Sequence, residues 1–184
     1  MAAFHQFYNL AGRDMSVINN AAIILLPKKD GATEITDYRP ISLIQSIAKL
    51  ISKVLSIRLA SVTGSIISSA QTAFLKTNCI HDSFLFVQNS VRALHRCKTP
   101  TLLLKVDIAK AFDSVSWDYL LELLQELGFS ARSRDWIAWL LSTSSSEFLL
   151  NGTPASKIQH RKGLRQGDPL SLLLFILCID PLHR

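Results

Sequence analysis

A carboxylate at the end of an apolar run is the feature best suited to chemistry in this chain of 184 residues. Asp107 follows Thr101, Leu102, Leu103, Leu104, Lys105 and Val106, and precedes Ile108-Ala109-Lys110-Ala111-Phe112-Asp113. A carboxylate costs several kcal/mol to bury alone, so an Asp at the tip of a hydrophobic strand faces a cation, a hydrogen-bonding cap or water. Magnesium is one such cation, because it takes a few carboxylate oxygens and keeps other positions for water or phosphate. The alternative is an Asp that only caps a turn. A second candidate is the basic cluster His160, Arg161, Lys162 and Arg165, which runs through Gly163 into Gln166-Gly167-Asp168-Pro169. A glycine-relaxed loop entering a helix N-terminus lets backbone approach a ligand and turns amides toward an anion. An ordinary capped helix, with Asp168 as N-cap and Pro169 in the first turn, is the competing reading. Lys28 and Lys29 leave another apolar run, and Arg39 could fork onto phosphate oxygens or pair with Asp37.

The elements that must hold these residues follow from periodicity. Residues 101–106 predict a strand buried in a sheet, and residues 21–26 a second one closed by a turn at Pro27-Lys28-Lys29-Asp30-Gly31. Residues 2–10 predict a helix that Gly12 can end. Tyr38-Arg39-Pro40-Ile41-Ser42-Leu43 introduces a long helix with Ile44, Ile47, Ile51, Val54, Leu55 and Leu59 at helical spacing, broken by residues 64–69. Lys49, Ser52, Lys53 and Ser56 fall on its opposite face, positive and suited to solvent or a phosphate backbone. Ile80, Phe84, Val87, Val91 and Leu94 mark another amphipathic helix with its aromatics in the core. Residues 116–129 predict a helix with Gly128 in the left-handed position, and residues 133–141 one with Trp136, Trp139 and Leu140 on its apolar face. Asn151-Gly152 predicts a tight hairpin that returns through residues 157–160.

Composition narrows the partners. Net charge is +6 with a pI near 9.4, which favours nucleic acid through counterion release, although no long run of Lys or Arg is present. An apolar fraction of 48% and mean hydropathy of +0.24 are high for a self-contained domain, so apolar faces left for other structure are expected. Cys79, Cys97 and Cys178 are widely spaced, without metal-ligand spacing to each other or to His81 and His95, and read as free thiols in a reducing compartment. The apolar run at residues 170–179 is too short to cross a bilayer, and no export signal is visible.

Taken in order, the motifs resemble the reverse transcriptase domain of non-LTR, LINE-type retrotransposons, most like plant members. The resemblance is carried by Leu26-Pro27-Lys28-Lys29, by Tyr38-Arg39-Pro40-Ile41-Ser42-Leu43 and by Gln71-Thr72-Ala73-Phe74. It continues through Lys105-Val106-Asp107, Asp113-Ser114-Val115-Ser116-Trp117, Leu150-Asn151-Gly152 and Gly163-Leu164-Arg165-Gln166-Gly167-Asp168-Pro169-Leu170-Ser171, covering nearly the whole chain. It implies an α+β right-hand polymerase fold, with about residues 1–100 as fingers and 101–184 as part of the palm. The implied activity is RNA-directed DNA polymerisation by two-metal nucleotidyl transfer, on an RNA template with a DNA primer and dNTPs. Asp107 matches the first catalytic aspartate, and the implied magnesium contacts are Asp107 and Ile108. Lys28, Arg39, Phe112, Gln166 and Gly167 match nucleotide-binding positions, Phe112 as the bulky residue that excludes a 2′-hydroxyl. Lys49, Lys53, Gln71, Lys76, Arg161, Lys162 and Arg165 are implied nucleic-acid contacts, and Asp113 is read as a structural cap. Nucleus and cytoplasm, with no membrane, are expected for an intact element.

Three departures stand out. Thr77-Asn78 replaces a Gly-Arg pair common in relatives, and Leu172 replaces a proline. The sequence also ends before the family's hairpin bearing two adjacent aspartates, and before the thumb. The expectation is therefore an incomplete fold, inactive alone. The alternative is a non-enzymatic remnant of a decayed element with at most weak nucleic-acid binding.

Overall fold

A small mixed sheet flanked by helices carries the site; the computed structural model describes residues 2–9, 15–68, 71–74, 79–150 and 152–183. Helix α1 (Ala2–Asn9) leads to strand β1 (Asn20–Pro27), which pairs antiparallel with β2 (Tyr38–Ile44) from Ala21↔Ile44 to Pro27↔Tyr38. Strand β3 (Ser145–Leu150) lies parallel on the other side of β1, with Asn20 opposite Ser145. The expected hairpin forms, with β3 turning back into β4 (Thr153–Pro154) and β5 (Ile158–Gln159). Asn151, half of its predicted turn, lies outside the described residues, as do Gly12 and Lys76.

The motif expected to lead into a helix is instead an edge strand, and Pro40 explains why it can be one. Ser42 sends its amide away from β1 to the Gln166 carbonyl at 3.3 Å. Pro40 has the same strand parity, so the donor it lacks would also face outward, where no ladder bond is lost.

Helix α2 (Ser46–Ala60) follows, then the short α3 (Thr63–Ile66) across the expected break, and α4 (Ile80–Arg96). The turn α5 (Ala111–Ser114) precedes α6 (Trp117–Glu126), α7 (Ala131–Ser142) and α8 (Ser171–Ile179). Local signals explain α6 and α7. Ser116 and Ser130 accept amides at the starts of α6 and α7, and Gly128, at φ +80°, ends α6 while the Phe129 amide reaches the Leu124 carbonyl. Their apolar faces meet α2 in one core that includes Ile51, Leu120, Leu124, Trp136, Leu140, Leu174 and Leu177. Among the described residues no helix is long and apolar enough to cross a membrane.

Three expectations are corrected. Residues 101–108 join no ladder and are exposed throughout, Leu102 by 87%. The open edge of β2 is already met by Gln166, so that edge offers the run no partner. Helix α4 forms, but Phe84 and Phe86 are 64% and 73% exposed rather than buried in a core. On α2 the buried face is Ala48, Ile51, Ser52, Ser56 and Leu59, while Ile47 and Val54 face outward. Small serines let this helix approach closely, and Ser52 can be buried because its hydroxyl donates to Asp168 at 3.1 Å.

Candidate functional site

The residues that converge come from β2, α5 and the loop before α8. That loop is sealed by glycine geometry. Gly163, at φ +79°, passes so close to α5 that a Cβ would lie 2.9 Å from the Asp113 Cα. Its amide donates to the Val115 carbonyl at 2.8 Å, the Leu164 amide donates to the Phe112 carbonyl at 2.8 Å, and the Trp117 indole donates to the Gly163 carbonyl at 2.7 Å. Gly167, at φ +99°, rests on the edge of β2, where a Cβ would meet the Ser42 carbonyl at 3.1 Å. Together these contacts fasten Phe112 and the Gln166-Gly167 bend to opposite walls of one cleft of about 570 Å³. Its lining includes Arg39, Ile41, Phe112, Arg165, Gln166, Gly167 and Leu172.

Each wall has a distinct chemistry. Phe112 stacks on Phe175 with ring centroids 4.8 Å apart and planes at 19°, which fixes the ring as a rigid apolar platform. Gln166 is exposed and offers an amide side chain, beside the exposed backbone of Gly167. Arg39 is exposed and its guanidinium has no partner among the described residues. Asp37, its alternative partner, is held instead by Lys29 at 2.8 Å, and that bond draws the Asp37 pKa below the usual carboxylate value. An unpaired planar cation beside an apolar platform and a bare backbone suits a phosphorylated, flat ligand.

The other predicted residues are placed differently. Lys28 lies outside the cleft lining, its ammonium donating to the Thr36 carbonyl at 2.7 Å. Arg165 is not on a basic surface but buried, donating to the backbone and side-chain oxygens of Asn19 and lying 3.8 Å from Asp168. Burial lowers its pKa and the Asp168 charge opposes that. Gln71 is also buried, whereas Lys49, Lys53, Arg161 and Lys162 are exposed. Asp113 makes no side-chain hydrogen bond among the described residues; its part is to lie under Gly163. Asp168 accepts the Leu170 amide at 2.8 Å just ahead of α8, which begins slightly later than its proline predicts. Asn19, unmarked in the sequence reading, proves to be the buried junction behind the loop.

Asp107 is exposed, without a partner among the described residues, on the segment leading to Phe112. Ile108 could offer only its carbonyl. A pair of divalent ions requires several converging carboxylates, and no group of three or more potential ligands exists among the described residues. These residues alone do not fit a two-ion site; Asp107 is a single ligand.

His160 borders this region and gives a pH handle. Its Nε2 lies 2.7 Å from the Ser146 hydroxyl. Burial, then the Arg165 charge, lowers its pKa from 6.5, with Asp113 opposing. The unfolded chain therefore binds the proton more readily than the fold, so His160 contributes stability above pH 6.5 that is lost as pH falls through the depressed value. Urea midpoints are expected to drop on acidification across that window, and His160→Gln should flatten the slope; an unchanged slope would remove His160 as its source.

A second cavity of about 510 Å³ lies between α1, α2 and α7, lined by Phe4, Phe7, Tyr8, Val54 and Trp136. Its surface is almost entirely apolar, and among the described residues no carboxylate lines it.

Comparison with known proteins identifies the family. Residues 26–184 match the family model described as reverse transcriptase (RNA-dependent DNA polymerase). The chain is 29% identical over 88% of its length to the "Transposon TX1 uncharacterized 149 kDa protein" of Xenopus laevis, of which it covers 12%. It is 26% identical over 97% of its length to the "Retrovirus-related Pol polyprotein from type-1 retrotransposable element R2" of Popillia japonica, covering 25% of it. Against the "Retrovirus-related Pol polyprotein from type-2 retrotransposable element R2DM" of Drosophila melanogaster, identity is 28% over 91% of the chain and 16% of that protein. The chain thus spans a quarter or less of the length of these relatives. By a match covering most of its length, this chain belongs to the reverse transcriptase family.

Proposed function

We propose that the chain is the fingers and partial palm of an RNA-directed DNA polymerase, and that its cleft receives an incoming deoxynucleoside triphosphate beside an RNA template and DNA primer. The fingers correspond to about residues 1–100 and the palm portion to 101–184. The observation that carries this reading is the meeting of Arg39, Phe112, Gln166 and Gly167, from three separate stretches of sequence, on one cleft. Arg39 binds the triphosphate by charge-assisted hydrogen bonds. The Phe112 ring, immobilised on Phe175, lies against the sugar and leaves no room for a 2′-hydroxyl. Gln166 and Gly167 bear on the nascent base pair, where only a glycine lets a base approach the backbone. Exposed Lys49, Lys53, Arg161 and Lys162 hold template and primer phosphates, a salt-sensitive contribution. Asp107 is the carboxylate this segment contributes to a magnesium site completed by further acidic residues. The ion chemistry that site supplies is in-line phosphoryl transfer to the primer hydroxyl.

The test is sugar selectivity. In a full-length protein carrying this segment, Phe112→Val should raise ribonucleotide incorporation relative to deoxynucleotide by about tenfold or more, a loss of about 1.4 kcal/mol of discrimination. Competing dNTP and rNTP incorporation on an RNA template measures it. Unchanged selectivity would remove Phe112 from the sugar and undo the reading of the cleft.

A further inference from the structure

The Gln166-Gly167 bend is held from behind by a residue outside the cleft. Asn19, only 1% exposed, sits just ahead of β1 and uses both side-chain donors and its side-chain oxygen. Its Nδ2 donates to the Leu140 carbonyl at 2.7 Å and to the Thr143 hydroxyl at 2.8 Å, tying it to the end of α7. Its backbone oxygen accepts from Arg165 Nη1 at 3.0 Å, and its side-chain oxygen accepts from Arg165 Nη2. The guanidinium is thereby gripped at both ends of its fork by one residue. On the far side of the bend, Asp168 accepts from Ser52 of α2. The bend between Arg165 and Asp168 is thus anchored at both ends in buried polar contacts, and its outer face rests on Ser42.

We infer that Asn19 is a positioning residue for the cleft, latching Arg165 so that the Gln166-Gly167 bend stays pressed on β2. Asn19 does not line the cleft; Arg165, which does, is the residue that joins it to the bend. The consequence for nucleotide binding rests on the function proposed above; the latch itself rests on hydrogen bonds alone. Without the Asn19 side-chain oxygen the buried guanidinium keeps, among the described residues, the Asn19 backbone carbonyl as its hydrogen-bond acceptor with Asp168 at 3.8 Å, and it has reason to move, since under-satisfying a buried charge is costly.

Hydrogen exchange on the chain, paired with equilibrium dialysis of labelled dTTP in magnesium, tests the latch. Asn19→Leu should speed exchange of the Ser42 and Asp168 amides by about tenfold or more while the amides of α6 keep their rates. It should also weaken dTTP binding by about tenfold. Asn19→Asp retains an acceptor for Arg165 but no donor for Leu140. It should loosen the end of α7 yet keep the Ser42 amide protected, which provides a reading even if the leucine variant does not fold. Unchanged protection of Ser42 in Asn19→Leu would overturn the latch. So would equal loosening of Ser42 in the aspartate variant, or uniform loss over the whole domain. A looser bend with unchanged dTTP binding would uphold the latch and sink the reading of the bend as a nucleotide contact.

Discussion

Replacing Asp107 by Asn in a full-length protein carrying this segment is expected to lower primer extension by about a thousandfold or more, about 4 kcal/mol, without altering the fold. The loss of extension rests on the ligand role proposed for Asp107, and the unaltered fold on where the side chain lies. The carboxylate is exposed and unpartnered among the described residues, so the neutral isostere breaks no hydrogen bond and buries no unpaired group. What it removes is the negative charge on a segment otherwise made of Thr101, apolar side chains, Lys105 and Lys110. The use proposed for that solvated carboxylate is as a magnesium ligand. Primer extension and a urea titration on the same preparation separate the two effects. Retained extension would refute the assignment, and loss of extension together with loss of cooperative unfolding would make Asp107 structural.

The largest expected effect on stability belongs to Gly163. An alanine there must take φ +79° and place its Cβ 2.9 Å from the Asp113 Cα, a backbone atom that cannot swing aside. Left-handed strain and overpacking together cost about 3 kcal/mol, a large share of the ~5–15 kcal/mol typical of a domain. The same movement would pull the Gly163 carbonyl from the Trp117 indole and the Leu164 amide from Phe112, so the cleft's platform and its bend should separate. Gly128 is the control, because its φ is +80° but nothing lies within 4 Å of a Cβ there. Gly128→Ala should cost only the strain, about 1 kcal/mol. Equal denaturation midpoints for the two variants would show that the close approach to α5 does not matter.

Legibility in the sequence followed the range of the interaction. Helix α6 could be read because Gly128 ends it locally, and α7 from the spacing of Trp136, Trp139 and Leu140, while the serine cap at Ser130, unread in the sequence, starts α7 earlier than residue 133. The hairpin at Gly152 is equally local. Burial was harder. The run at residues 101–106 and the aromatic face of α4 are hydrophobic enough to predict a core, but hydrophobicity states a preference and not whether a partner is near. Ser52 and Arg165 misled in the opposite sense. Each reads as surface, and each is buried because a distant residue, Asp168 or Asn19, satisfies it. Asn19 itself looks like a turn residue ahead of a strand, and no spacing marks it as a junction. The grouping of Arg39, Phe112, Gln166 and Gly167 came through family resemblance, since residues so far apart in the chain carry no common periodicity.

The central claim is that one nucleotide touches both the Phe112 platform and the Gln166-Gly167 bend. Photo-crosslinking with an azido-dUTP analogue in magnesium, followed by trypsin and mass spectrometry, addresses it directly, because cleavage after Lys110 and after Arg165 releases those two walls as separate peptides. The account predicts label on the peptides beginning at Ala111 and Gln166, displaced by unlabelled dTTP and absent from the apolar cavity between α1 and α7. Label confined to that cavity, or spread over the surface and not displaced, would contradict it.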